Sequence, residues 1–102
     1  MRTLWVYGSV ALTSRILATY RIFPEDPEGG VEFLKENLTR SKPDWVEIAG
    51  IQEEPIAFGL VALIVTLAIP EDPKYSLSAL EEWLVNVEGV SEIQEVRVTR
   101  SL

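Results

Sequence analysis

Apolar residues along this chain change their spacing several times, and each change marks an element. From Ser14 to Phe23, Ile16, Ala18, Tyr20 and Ile22 occupy every second position. That alternation belongs to a strand with one buried face. A proline pair ends it. Val31, Leu34 and Leu38 then recur at helical spacing, with Glu32, Lys35 and Glu36 on the wet side. Lys42-Pro43-Asp44 breaks this helix. Trp45 to Gln52 reads as a second, weaker strand interrupted by Gly50. Leu60 to Ile69 is almost wholly apolar and too β-branched to favour a helix, so it predicts a strand with little solvent exposure. A second helix carries Leu77, Leu80, Leu84 and Val87 on one face. Ser76 or Ser78 stands ready to cap it, Ser78 with Glu81 at capping-box spacing, and Gly89 stops it. Ile93 to Arg100 brings Val96 and Val98 into a last strand.

The tetrapeptide Pro-Glu-Asp-Pro occurs at Pro24–Pro27 and again at Pro70–Pro73. Each copy follows an apolar segment and precedes a helical pattern, as in a domain built from two similar β-α halves, each followed by another strand. The order is β-α-β-β-α-β. This predicts an α+β, ferredoxin-like fold: a four-stranded antiparallel sheet with two helices on one face and the other face open. In each copy proline fixes φ and the aspartate is placed to accept from the following backbone amides, a turn. The oxygen-ligand alternation of a calcium loop is missing.

Length and charge narrow the functions. At 102 residues the chain makes one domain. Its net charge of −7 opposes a grip on phosphate backbone and suits a basic protein surface, or solubility alone. With no cysteine and no histidine, disulfides, thiolate chemistry, most zinc sites and the usual neutral-pH base are gone. The longest apolar run, Phe58 to Ile69, is short of the roughly twenty residues that cross a bilayer. No Gly-rich phosphate motif is present. Glu53 and Glu54 are adjacent, so on a strand they point to opposite faces and do not share a substrate. Trp5, Trp45 and Trp83 read as packing residues. The expectation is a protein that is not an enzyme, needs no cofactor or metal, and works away from nucleic acid and membranes; the absence of cysteine is compatible with a cytoplasmic address.

One segment resists this plain reading. Glu53 to Leu60 spells EEPIAFGL. Pro55 and Gly59 mark a connection, yet Ile56, Ala57 and Phe58 make its middle greasy. This block, with the strand leading into Phe23-Pro24-Glu25, then Ala62-Leu63, and Glu88-Gly89-Val90 after the second helix, resembles the exchange domain of translation elongation factor 1-beta, above all its archaeal form. The resemblance implies a guanine nucleotide exchange factor that promotes GDP release from elongation factor 1-alpha, bound with GDP or empty. It implies that Phe58 meets the partner, with Pro55, Ile56, Ala57 and Gly59 shaping the loop around it. Val61 stands where the archaeal pattern often has a lysine. Eukaryotic relatives carry a lysine next to the last residue that disturbs the partner's magnesium site. Here that position is Ser101, and Arg100 is the neighbouring candidate.

The family domain starts just before its first strand, so residues 14–102 read as the exchange domain and 1–13 as an N-terminal extension. That extension is a start-site artefact with the true start near Val10 or Leu12, a flexible tail, or an extra edge strand. Two rival functions share the fold: a single-stranded RNA binder and a small-molecule regulatory module. Both use the open sheet face. The RNA binder needs aromatics on the middle strands, and Leu60–Ile69 has none. For the regulatory module that face would be apolar, which Val61, Leu63, Val65, Leu67 and Ile69 do not exclude if they lie on it.

Overall fold

The computed structural model describes residues 14–26 and 29–101. The expected extension at 1–13 lies outside the described residues. The elements run β1 (Arg15–Pro24), α1 (Val31–Ser41), β2 (Glu47–Pro55), β3 (Val61–Pro70), α2 (Leu77–Asn86) and β4 (Val90–Ser101). The strands form one sheet in the order β2-β3-β1-β4, and all three ladders are antiparallel. This is the β-α-β-β-α-β arrangement that the spacing predicts.

Burial sorts the two sheet faces. Ala18, Tyr20 and Ile22 of β1 and Leu63, Val65, Leu67 and Ile69 of β3 are fully buried, packed with Leu34 and Leu38 of α1 and Leu80 and Leu84 of α2. The face away from the helices therefore carries Leu17, Thr19, Arg21 and Phe23 from β1, and Ala62, Ile64, Thr66 and Ala68 from β3. This corrects the expectation for the regulatory module. Leu63 to Ile69, every second residue, lie beneath the helices. An apolar run on a central strand does not say which half of its residues the helices cover. Tyr20 keeps one polar atom inside: its hydroxyl donates to Glu81 at 2.8 Å. Burial first, and then the Glu81 carboxylate, push its pKa above the ordinary phenol range, so it remains a neutral donor.

Element ends shift where local chemistry decides. β2 starts at Glu47 because Trp45 lies before it, with its ring stacked on Tyr75 at 5.0 Å between centroids. It continues to Pro55, which is tolerated because β2 is an edge strand. Ser76, rather than Ser78, caps α2: its hydroxyl accepts from the Ala79 amide at 3.0 Å. In the second PEDP copy the Asp72 side chain accepts from the Lys74 amide at 2.9 Å, the turn expected there. In β4 a register shift at Val96 sets Glu95 opposite Tyr20 and Arg97 opposite Thr19. This bulge lets Ile93 and Val98 both pack on the core, although their spacing is odd, and leaves Val96 half exposed.

The antiparallel order gives the sheet two distinct ends. One holds the β2–β3 hairpin, the β1–α1 connection and the α2–β4 connection, joined where the Glu25 amide donates to Gly89 O at 2.8 Å. The other, where β1 begins and β4 finishes, brings Arg15 opposite both Pro70 and Ser101.

Candidate partner-binding loop

The β2–β3 hairpin closes through two backbone hydrogen bonds. The Ile56 amide donates to Leu60 O and the Leu60 amide donates to Ala57 O, both at 2.9 Å. Between them lie Phe58 with φ of 56° and Gly59 with φ of 79°. Two consecutive positive φ angles characterise the tight turn whose twist matches a hairpin. Glycine takes this conformation freely, and a Cβ at Gly59 would meet nothing within 4 Å. Phenylalanine does not. A left-handed backbone costs a residue with a Cβ about 1–2 kcal/mol, and Asn-Gly is the usual pair in such a turn.

The same residue also leaves its side chain unused. Phe58 is 98% exposed, whereas Val85, Phe33 and Ile56 are each about half covered. Its ring stands in water. Pro55, Ile56, Ala57 and Gly59 are exposed around it. Neither the backbone nor the side chain of Phe58 contributes to folding, so its presence points to a use outside the domain.

Just before the loop, two carboxylates leave β2 on opposite faces, as their adjacency predicts. Glu53 turns to the helix side, where Lys35 of α1 donates to it at 2.7 Å. Lys35 also reaches Glu32 at 3.3 Å. Glu54 turns to the face away from the helices, where Arg21 donates through Nε at 2.6 Å and Nη2 at 3.3 Å. Arg21 Nη1 continues to Gln94 of β4 at 3.0 Å. The hydrogen bond from Arg21 holds the Glu54 carboxyl below its usual range, and the hydrogen bond to Glu53 raises the Lys35 ammonium. Sequence spacing does not reveal Arg21, Lys35 or Gln94, because these contacts join distant parts of the chain. The one available signal is that adjacent strand residues need separate partners.

Arg100 is not part of this cluster. It faces Ile16 across the ladder at the other end of the sheet, and its Nη2 lies 2.8 Å from Glu71. The length of β3 separates it from the hairpin, roughly 30 Å at the rise of an extended strand. The structure thus assembles Pro55, Ile56, Ala57, Phe58 and Gly59 and leaves Arg100 apart. Among the described residues no cluster of three or more His, Cys, Asp or Glu is placed to hold a metal ion, and no helix is long and apolar enough to cross a membrane.

Comparison with known proteins bears on this loop. Residues 17–101 match the family model of the EF-1 guanine nucleotide exchange domain. The chain is 38% identical over 87 residues to a protein of Staphylothermus marinus named elongation factor 1-beta, covering 85% of this chain and 97% of that one. It is 41% identical over 85 residues to the protein of that name from Methanothermobacter thermautotrophicus, covering 83% and 94%. Ignicoccus hospitalis has another, 37% identical over 86 residues, covering 84% and 92%.

Proposed function

The chain belongs to the EF-1 guanine nucleotide exchange domain family, and on that premise we propose that it ejects GDP from elongation factor 1-alpha by presenting Phe58 as a wedge. Its function is nucleotide exchange in translation elongation. Residues 14–102 form the exchange domain, acting in the cytoplasm on a protein partner, with no bond made or broken. The observation that carries the reading is Phe58, exposed and left-handed at the tip of a hairpin.

Linkage supplies the mechanism. A factor that binds the empty partner more tightly than the GDP-bound one must weaken GDP by the same ratio. A ring that finds its pocket only when the nucleotide site is deformed provides that difference. No residue of the wedge needs to touch nucleotide. Pro55 limits the loop's freedom, Gly59 admits its left-handed turn, and Ile56 and Ala57 flank the ring. Arg100 enters as a second, separate contact, made by a partner wide enough to meet both ends of the sheet once Glu71 releases it.

The test is the release of fluorescent GDP from elongation factor 1-alpha. The wild-type protein accelerates it at micromolar concentration; no acceleration would defeat the exchange reading. Burying a phenylalanine is worth about 1.5–3 kcal/mol, so Phe58→Ala lowers exchange efficiency by roughly ten- to a hundredfold. Full activity in a folded Phe58→Ala would remove the wedge and leave family membership standing.

A further inference from the structure

Glu53 and Glu54 open the loop motif, yet the wedge makes no use of them. Among the described residues β2 is an edge strand with β3 as its one strand neighbour, and the turn beyond Pro55 holds itself by two backbone bonds of its own. The aim of the ring is therefore set by how firmly the end of β2 is held. At that end α1 grips one face through Lys35–Glu53 and β1 grips the other through Arg21–Glu54. The second grip passes across β3 and is backed by Gln94 of β4.

We propose that Lys35 and Arg21 are positioning residues for exchange: they clamp Glu53 and Glu54 from opposite faces of β2 and so hold the Phe58 turn in the form that the partner receives. The proposal rests on the wedge reading. Exposed ion pairs contribute little to global stability, so the clamp acts on the hairpin rather than on the fold. When it is lost, only part of the population presents the ring correctly, and apparent affinity falls by that fraction. Once bound, the partner orders the loop itself, so exchange at saturation is unaffected.

Two double variants test this from opposite sides, Glu53→Gln with Glu54→Gln and Arg21→Gln with Lys35→Gln. Each should keep its fold by circular dichroism and raise the half-saturating concentration about three- to tenfold at unchanged maximal exchange rate. Backbone ¹⁵N order parameters at Phe58 and Gly59 should fall in both variants without any partner present. The four substitutions together should do no more than either pair, and neither pair should add to Phe58→Ala.

Unchanged order parameters and half-saturation, with Phe58→Ala still defective, overturn the clamp alone. A loss on removing the carboxylates but not the cations also overturns it, since the glutamates would then meet the partner themselves. A fully active Phe58→Ala overturns the wedge and this proposal together.

Discussion

At the hairpin end of the sheet, Phe58 stands out on a left-handed backbone with 98% of its surface in water. At the far end, Arg100 is extended along a strand and paired with Glu71 at 2.8 Å. Both positions follow from the family resemblance as candidate contacts, but physically they are opposites. Arg100 has an ordinary explanation, an exposed ion pair between β4 and the turn before α2. Phe58 has none among the described residues, because its backbone opposes folding and its exposed ring adds nothing to it. A residue whose local cost is unrepaid by its own fold gives stronger grounds for a partner than one already satisfied.

The two ends should therefore respond oppositely to substitution. Phe58→Asn installs the residue that the turn prefers. Exchange efficiency should fall about ten- to a hundredfold, as for alanine, while stability rises by about 1 kcal/mol. For a domain of this size the melting temperature would climb by about 4–8 °C. A lower melting temperature would show that the ring supports its own domain, and the contrast between the ends would collapse. Ser76→Ala at the far end should do the reverse. Losing the α2 cap costs about 1 kcal/mol, readable in a urea titration, with GDP release unchanged when the protein is folded. Arg100→Gln should be the mildest. An exposed pair is worth at most about 1 kcal/mol, so stability should barely move and exchange should drop no more than about fivefold. A larger drop would make the far end an equal partner in the interface.

The two PEDP turns differ chiefly in how the helix after each one starts. Near the hairpin, Asp26 O accepts from the Gly30 amide at 2.7 Å, so close that a Cβ on Gly30 would sit 2.6 Å from that oxygen. The helix that follows starts without a side-chain cap. In the far copy Asp72 O likewise accepts, from the Tyr75 amide at 2.9 Å, but there Ser76 caps the helix. The repeated tetrapeptide marks two similar joints, and the residues after it decide how each is closed.

Much of the fold was legible in the chain itself. The alternation in β1 placed Ala18, Tyr20 and Ile22 in the core, and leucine spacing placed Leu34, Leu38, Leu80 and Leu84 against it. These signals are local, and burial only fills in what their periodicity lays out. EEPIAFGL showed an apolar loop for the same reason: Pro55 and Gly59 forbid a regular element where the chain is greasy. The β4 bulge at Val96 was not legible, because one extra residue re-phases a strand only against its neighbour.

What the sequence determined by itself is the order of elements, the core residues of β1 and the two helices, and the location of the loop, since each depends on spacing within a few residues. Tertiary structure alone decided the rest. It put Leu63 to Ile69, rather than Ala62 to Ala68, beneath the helices. It set Arg100 a strand's length away from Phe58, and it gave Glu53 and Glu54 partners on opposite faces of the sheet. Those outcomes depend on which strands become neighbours and in what register, and no stretch of one strand contains that information.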